Sequence, residues 1–281
     1  MLFVLIYFEF LCTSIFSKLM NGDYIAECDR YFLKENTYTG LHPNFFNKNN
    51  FSWVKNIENN YKTIIDEINN IIDGRESLPE NINPPYLSSP GVWRTFYFMN
   101  FRWYDHKNCI KYPKTFALLS TIPNLSFAGI TVLDPCSKVL PHIGETNATI
   151  RCHLGLYVPG INMDCGIMVN GEKRAHGNGK VIMFSDAHLH TTWNNTDEKR
   201  YLLVFDIVQQ QFAWKSNWVC ANALSALSIK YLAEKLPFIK PIPDMLLKII
   251  LKLVAILWWI YLPVQKQFRY IYLLMNSAKI T

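Results

Sequence analysis

The sequence of 281 residues has few charged residues, no long cluster of basic residues and no closely paired cysteines. Charged residues make up 18% of it, whereas about 25% is usual in a soluble domain. The seven cysteines include no Cys-x-x-Cys pair, which argues against a zinc ribbon, and their odd number excludes a complete disulfide framework. We expect them to be reduced and buried. Glycine (12) and proline (14) are too few for a collagen-like or low-complexity chain.

Hydrophobic residues, in contrast, are abundant. They make up 50% of the chain, aromatic residues make up 15%, and this composition excludes an intrinsically disordered protein. The length fits one or two domains. The net charge of +6 suits a nucleic-acid surface or an anionic membrane, but no lysine and arginine run has the length of a nucleic-acid-binding arm. We therefore expect no nucleic-acid partner.

Both ends of the chain are strongly apolar. Residues 1–16 are interrupted only by Glu9, and they fit either a short membrane anchor or a buried helix. Residues 245–262 carry two lysines on one helical face and end in tryptophan and tyrosine. A membrane-spanning helix, a helix lying in the membrane interface and a soluble helical hairpin all fit this second segment. The two ends predict membrane association.

The middle of the chain divides into a helical part and a β-rich part. Apolar residues recur every 3.6 positions over residues 53–72, which predicts an amphipathic helix stopped by Gly74. Residues 78–90 are rich in proline and predict an extended loop. Residues 92–104 favour β-structure, and Pro113 opens a predicted helix over 114–122. Strands are predicted over residues 127–133, 150–158, 166–169, 181–184 and 200–208. Such short strands without interleaved helices predict a sandwich or barrel.

Four histidines lie in or beside these predicted strands: His142, His153, His188 and His190. Imidazole is a ligand for iron, zinc, copper and nickel. We place His142 in the turn after the first strand and His190 just past the fourth, and on a jelly roll two such turns meet at one mouth. A structural, hydrogen-bonded role would explain either histidine taken alone.

The residues around these histidines form an ordered set of motifs. They read PHIGETN at 141–147, RCHLGLYVP at 151–159, GKVIMFSD at 179–186 and Trp193-Asn194, followed by Arg200. This set resembles the aspartyl/asparaginyl β-hydroxylase family, which are Fe(II)- and 2-oxoglutarate-dependent oxygenases and include lipid A acyl-chain hydroxylases. The resemblance covers about 160 residues and is densest over 127–208. It implies a mainly β fold, a double-stranded β-helix (jelly roll), here with N-terminal flanking helices and a C-terminal apolar helical segment. The predicted division is an apolar N-terminal segment and linker (1–50), the oxygenase domain (51–212) and a C-terminal helical segment (213–281).

The resemblance also assigns a metal site. His142 and His190 match the two metal-binding histidines of the family, and they are the candidate catalytic residues. The general oxygenase triad has a carboxylate two residues after the first histidine, where this chain has Gly144. Eukaryotic-type members of the family share that glycine, whereas the lipid A hydroxylases have aspartate. A water would then complete the metal shell, and we expect Glu145 to point away.

The same resemblance assigns the 2-oxoglutarate site. Arg200 opens the last strand and matches the arginine that holds the distal carboxylate, a role that suits a bidentate guanidinium. Arg151 and His153 lie on one face of a strand, and the family uses these positions for cosubstrate and substrate carboxylates. Thr131 stands where the family usually has serine, so the hydroxyl is kept.

The sequence therefore predicts a dioxygenase that uses Fe(II), 2-oxoglutarate and O2 to hydroxylate an unactivated C–H bond. Because the motif lies in the site itself, the predicted substrate is a peptidyl or amino-acid Asp/Asn side chain. A lipid acyl chain, which the apolar ends favour, is the alternative. Two other hypotheses stay open: a non-catalytic, membrane-tethered binding module of the same fold, and a cupin-like zinc or manganese protein.

Overall fold

A computed structural model of the protein describes residue 38 and residues 40–74, 87–88, 91–236 and 242–277. The helices are α1 (Val54–Asn59), α2 (Tyr61–Glu67), α3 (Asn69–Ile72), α4 (His106–Lys111), α5 (Pro113–Ser120), α6 (Ser216–Lys235) and α7 (Asp244–Ser277). The strands are β1 (Leu87–Ser88), β2 (Trp93–Asn100), β3 (Trp103–Tyr104), β4 (Leu125–Leu133), β5 (Ser137–His142), β6 (Thr149–Tyr157), β7 (Cys165–Val169), β8 (Glu172–Ala175), β9 (Val181–Phe184), β10 (His190–Asn194) and β11 (Arg200–Val208). The predicted N-terminal apolar run and most of the predicted loop over 78–90 lie outside the described residues.

Two sheets form the jelly roll. The larger has the strand order β3-β2-β4-β11-β6-β9, and the smaller has β1-β5-β10-β7-β8. All strand pairs between neighbours are antiparallel. From β4 to β11 the chain passes back and forth between the two sheets, apart from the β7–β8 hairpin within the smaller sheet, as a double-stranded β-helix requires. The predicted fold class is confirmed.

The larger sheet separates a core from a cavity. All nine residues of its central strand β11 are buried, and they alternate in direction. Tyr201, Leu203, Phe205 and Ile207 face the helical side, where they join the main hydrophobic core. Arg200, Leu202 and Val204 face the smaller sheet and line a cavity. One strand thus supplies apolar residues to the core and a charge to the site.

The helices α1–α5 cover the outer face of the larger sheet. Their buried side chains include Ile57, Ile64 and Leu119, which pack in the same cluster as Phe98 and Phe205. The predicted single helix over 53–72 is instead three short helices, because the backbone leaves helical geometry at residues 60 and 68 (φ −101°, ψ 11° and φ −93°, ψ 12°). The amphipathic pattern survives these breaks since each short helix keeps its apolar residues on the sheet. The predicted stop at residue 74 is confirmed by its positive φ of 72°.

The helices α6 and α7 form a hairpin beside the barrel. Within the described residues, the stretch Met245–Gln265 of α7 has the length and mean hydropathy (2.1) to cross a membrane. Only 22% of its most apolar part is buried, so it is not an ordinary core helix. The predicted three-part division of the chain stays a prediction.

The cysteines bear out the expectation of a reduced chain, with one difference. Within the described part of the chain they are free, and the buried ones are Cys109, Cys152, Cys165 and Cys220. Cys136 is exposed, because it occupies the tight turn between β4 and β5 with a φ of 49°.

Candidate active site

A cavity of about 230 Å³ lies between the two sheets, and every residue predicted for the site lines it. The larger sheet contributes Thr131, Arg151, His153 and Arg200, and the smaller sheet contributes His142 and His190. These residues come from five strands that are distant in sequence. The jelly roll brings them together because its two sheets face each other across this space.

His142 and His190 form the centre of the site. They are directly opposite each other in the antiparallel pairing of β5 and β10, and their ring centroids are 4.2 Å apart. Their predicted placement in turns is wrong: His142 ends β5 and His190 begins β10. Strand β5 was missed because its Lys-Val-Leu-Pro stretch contains proline, and β10 was missed because Trp193 is its one apolar residue, so it shows no apolar alternation. Their antiparallel register sets the two rings side by side.

Both rings are held in one tautomer by the backbone. Nδ1 of His142 lies 2.8 Å from the carbonyl oxygen of Leu140, and Nδ1 of His190 lies 2.9 Å from that of His188. A carbonyl only accepts hydrogen bonds, so each Nδ1 carries the proton and each neutral ring keeps the Nε2 lone pair for a metal. Burial lowers the pKa of His142. Burial and the neighbouring ring of His142 lower the pKa of His190 well below its ordinary value. The rings are therefore neutral at physiological pH, as metal ligands must be.

The chemistry of this donor set fits an iron site that is open on several sides. Among the described residues, no group of three or more His, Cys, Asp or Glu side chains is arranged to hold one metal ion. Two imidazoles on one side of a cavity leave positions for a cosubstrate, O2 and water. Glu145 lines the cavity, contrary to the expectation that it points away, because the chain leaves the strand after His142 and strand alternation no longer applies.

Gly144 stands beside a buried carboxylate. A Cβ added at this glycine would overlap the carboxylate of Asp186, which is 1% exposed, and the Gly144 amide donates to the Asp186 backbone carbonyl over 2.6 Å. The Asp186 carboxylate also forms an ion pair of 3.1 Å with Arg151. The space that a side chain at position 144 would need is thus already filled by an acidic group from another loop.

Substituting Gly144 with alanine is expected to destabilise the protein by about 1–3 kcal/mol, because the added methyl group overpacks against the Asp186 carboxylate. Thermal and urea unfolding measure this cost. In an Asp186→Ala background the same substitution is expected to cost less than half as much, since the overlapping atoms are gone. Gly177→Ala is the control, because its Cβ would meet only the Lys180 side chain at 3.5 Å. Equal costs in the two backgrounds would contradict the steric account.

Arg200 is a buried cation that lines the cavity. It is 1% exposed, and its Nη1 donates to the Thr192 hydroxyl over 2.7 Å and to the Trp193 carbonyl over 3.1 Å. Within the described chain no carboxylate forms an ion pair with it, and its Nε is buried without a hydrogen-bond acceptor. Burial lowers the pKa of Arg200 to about 10, so the guanidinium stays charged at neutral pH. Such a group is costly to bury unless an anion binds it.

Arg151 differs from Arg200 because protein carboxylates already neutralise it. It lies opposite Asp206 in the pairing of β6 and β11, and it donates through Nε and Nη2 to the two carboxylate oxygens over 2.9 and 2.8 Å. Burial alone would lower the pKa of Arg151, but Asp206 and Asp186 raise it well above its usual value. Its predicted part in binding a cosubstrate or substrate carboxylate stays a prediction.

His153 and Thr131 occupy the inner wall. Nδ1 of His153 lies 3.1 Å from Nε2 of His176, and burial lowers the pKa of both rings well below 6.5. Both are therefore neutral hydrogen-bonding groups. Thr131 is 4% exposed and lines the cavity on the strand next to Arg200. Their predicted roles towards 2-oxoglutarate stay predictions.

Sequence reasoning missed several residues of the site. Asp206 and Asp186 were given no role, although a lone aspartate in the otherwise apolar β11 signals a buried ion pair. His176 carries no local signal. The cavity also has an aromatic wall, to which β2 and β4 contribute Trp93, Tyr97 and Phe127 and the turn after β2 contributes Phe101. Which residues of these strands face the cavity depends on the sheet register. The outer wall comes from α6 and consists of Leu227, Lys230 and Tyr231.

Comparison with known proteins gives the following relatives. The family model described as aspartyl/asparaginyl beta-hydroxylase matches residues 58–210. The ornithine lipid ester-linked acyl 2-hydroxylase of Rhizobium tropici is 30% identical over 204 residues, which are 70% of this chain and 69% of that protein. The aspartate beta-hydroxylase domain-containing protein 2 of Xenopus tropicalis is 37% identical over 50% of this chain and 39% of its own length. The human aspartyl/asparaginyl beta-hydroxylase is 30% identical over 55% of this chain and 21% of its own length. The chain thus spans about two thirds of the bacterial relative and less than half of these vertebrate ones.

The solved structures found by comparison are distant from this chain. A predicted oxalate decarboxylase from Thermotoga maritima is 14% identical with a TM-score of 0.32, over 48% of this chain and 96% of that one. A cupin-like protein of the same organism is 10% identical with a TM-score of 0.31, over 48% of this chain and 80% of that one. At these scores the likeness carries no argument, and the jelly-roll assignment stands on the strand order. The family model covers more than half of the sequence, and the relatives are named as hydroxylases or for a hydroxylase domain. The chain therefore belongs to the aspartyl/asparaginyl β-hydroxylase family of hydroxylases.

Proposed function

We propose that this protein is an Fe(II)- and 2-oxoglutarate-dependent dioxygenase that hydroxylates an unactivated C–H bond. One observation carries the proposal: two imidazoles with unprotonated Nε2 atoms share a cavity with a buried guanidinium that has no carboxylate partner among the described residues. A metal and a dianionic cosubstrate would satisfy both features together. A purely structural barrel needs neither.

In this proposal His142 and His190 hold the iron. When bound, the iron with 2-oxoglutarate and O2 supplies the oxidising power that an unactivated C–H bond requires. The protein keeps both rings neutral and correctly turned through the carbonyl groups of Leu140 and His188. A water in place of a third protein ligand agrees with the glycine at position 144.

Arg200 holds the distal carboxylate of 2-oxoglutarate. Its Nη1 is anchored by Thr192 and its buried Nε has no acceptor in the described chain, which leaves the rest of the guanidinium to meet an anion. Thr131 and His153 then offer a hydroxyl and a neutral imidazole towards the same ligand. Arg151 is neutralised by Asp186 and Asp206, and it fixes the positions of these two carboxylates beside the cavity.

We propose a lipid acyl chain as the substrate. The cavity wall is rich in aromatic and aliphatic side chains, and its outer part comes from a helical hairpin that carries exposed apolar residues. The Rhizobium tropici relative, which is matched over most of both chains, is named an acyl hydroxylase of a lipid. Association with a membrane, in an unspecified compartment, is part of this proposal. A peptidyl Asp or Asn side chain is the second candidate, and the motif around Gly144, shared with peptidyl hydroxylases, favours it.

The test uses the full chain under anaerobic conditions. Fe(II) and 2-oxoglutarate are added first, and the binding of each is measured by calorimetry. O2 is then admitted, and the succinate released is quantified. This turnover measurement is made with lipid extract, with Asp- and Asn-containing peptides, and without any added substrate. The proposal expects substrate-stimulated succinate release and a product 16 mass units heavier than the acyl chain. Heavier peptide with untouched lipid would support the second candidate. Binding without turnover on any substrate would support the non-catalytic module, and tight zinc or manganese binding without 2-oxoglutarate would support the cupin-like alternative.

A further inference from the structure

One face of α7 is a continuous apolar surface exposed to solvent. Its exposed side chains, here called the α7 stripe, are Leu246, Ile249, Leu253, Leu257, Ile260 and Val264. They are three or four positions apart, so they share one helical face over a length of about 27 Å. A soluble monomeric protein rarely leaves such a surface uncovered.

The opposite face of α7 packs against the protein from residue 247 to residue 262. The buried side chains there are Leu247, Leu251, Ala255 and Leu262. The hydroxyl of Ser225 on α6 donates to the Leu251 carbonyl over 2.7 Å, and the Trp258 indole donates to the Ser228 hydroxyl over 3.1 Å. A helix that crosses a bilayer must be in contact with lipid or with other membrane segments at mid-depth. Because α7 also packs against β3, the edge strand of the larger sheet, through Trp258 and Trp103, crossing would carry that sheet edge into the hydrocarbon.

The charge of the chain is concentrated in the same region. Residues 213–281 contain nine Lys or Arg and two Asp or Glu, a net charge of +7. Residues 1–212 contain 19 basic and 20 acidic residues, a net charge of −1. The whole positive excess of the protein therefore belongs to the C-terminal segment. A cationic helix with an exposed apolar face is suited to the headgroup region of an anionic bilayer.

The cavity opens at the same hairpin. Leu227, Lys230 and Tyr231 of α6 line its outer wall. On the adjacent face of the same two turns, Ala226 and Ile229 pack against the first half of α7. Tyr231 is 52% exposed, so the wall reaches the protein surface beside the hairpin.

We propose that the α6–α7 hairpin seats the protein on an anionic phospholipid bilayer, with α7 lying in the plane of the headgroups rather than crossing the membrane. An acyl chain then enters the cavity from the bilayer, past Leu227 and Tyr231, and Lys230 meets its anionic headgroup. The docking is independent of the enzymatic activity, whereas this entry step rests on the proposed function.

Vesicle binding tests the docking. The full chain is mixed with vesicles of phosphatidylglycerol and phosphatidylcholine, or of phosphatidylcholine alone, and bound protein is measured by flotation. The α7-stripe variant Leu253→Glu/Leu257→Glu is expected to bind anionic vesicles at least about tenfold more weakly than wild type, because two apolar side chains no longer enter the interface. Ile161→Glu, which changes a 75% exposed apolar residue on the barrel, is the matched control and is expected to bind as wild type does. Equal binding by the α7-stripe variant, or equal binding of wild type to both vesicle types, would overturn the docking.

Sidedness distinguishes a helix that lies on the membrane from one that crosses it. In sealed membrane vesicles from expressing cells, an impermeant maleimide reports on the exposed Cys136 of the barrel and on a cysteine introduced by Thr281→Cys. We expect both to be labelled, or both to be protected, in any one preparation. Opposite labelling would show that α7 crosses and would contradict the proposal.

Turnover tests the entry step separately. Turnover is measured on lipid embedded in vesicles and on lipid dispersed in detergent, and the first rate is divided by the second. We expect this ratio to be at least about tenfold lower for the α7-stripe variant than for wild type. An unchanged ratio would overturn entry from the bilayer. If wild type turns over no lipid in either form, the proposed function fails, while the flotation and labelling results still decide the docking.

Discussion

His190→Ala is expected to abolish stoichiometric Fe(II) binding and to lower substrate-dependent succinate release by more than about 100-fold. Loss of an outer-shell partner alone costs about 10–100-fold in metal affinity or activity, and removal of a ligand costs more. The effect is large here because His142 would be the one remaining imidazole ligand, and among the described residues no third side chain completes a metal group. Anaerobic equilibrium dialysis with Fe(II) measures the binding, and succinate release measures the turnover.

His188→Ala is the matched control for this experiment. Its backbone carbonyl, which accepts the hydrogen bond from Nδ1 of His190, is unchanged by the substitution. Its side chain binds elsewhere, because Nε2 of His188 lies 2.8 Å from the His42 carbonyl. Iron affinity is therefore expected to stay within about threefold of wild type, below the range for true outer-shell partners. If His190→Ala binds iron as well as His188→Ala does, the metal assignment is wrong.

Arg200→Ala is expected to raise the KM for 2-oxoglutarate by about 30-fold or more while Fe(II) binding persists. Removing one partner of a buried, hydrogen-bonded charge pair typically costs about 2–5 kcal/mol, which corresponds to this factor or a larger one. Lysine at this position is expected to restore part of the affinity, because it supplies charge without the bidentate geometry. Arg94→Ala is the control, since Arg94 is paired with Asp134 at 2.7 Å and does not line the cavity.

The stability of the Arg200 variants separates ligand binding from a structural role. Arg200→Met removes a buried charge that has no carboxylate partner in the described chain, so the protein without cosubstrate is expected to keep or raise its Tm. With Fe(II) already present, added 2-oxoglutarate is expected to raise the Tm of wild type further but to leave the Tm of this variant unchanged. A large fall in Tm without cosubstrate, together with an unchanged KM, would show that Arg200 is structural.

Much of the fold was predictable from local patterns. The bounds of β9 and β11 agree with the predicted strands because both are mostly apolar and lie between clear turn signals. The strand β8 was missed, since Glu172–Ala175 is exposed throughout and carries no apolar alternation. The broken helix over 53–72 kept its pattern because packing on the sheet, rather than helix continuity, decides which residues are buried.

The site was predictable as a set of residues but not as an arrangement. The motifs named the residues that line the cavity, whereas the pairing of Arg151 with Asp206 depends on the register of β6 against β11. Likewise, the filling of the space beside Gly144 by Asp186 depends on how two loops meet. Such facts arise from long-range packing, for which one sequence carries no local signal. The wall supplied by α6 lies beyond the region shared with the family model, so no motif pointed to it.

The cavity is built from two separate parts of the chain. The residues predicted for metal and cosubstrate lie within residues 58–210, and the outer boundary of the cavity lies at Leu227, Lys230 and Tyr231. If the proposed function holds, changes in α6 would alter which molecules reach His142 and His190 without touching the residues proposed to bind metal and cosubstrate. Substrate selectivity would then depend on a helix that lies outside the part of the chain matched by the family model.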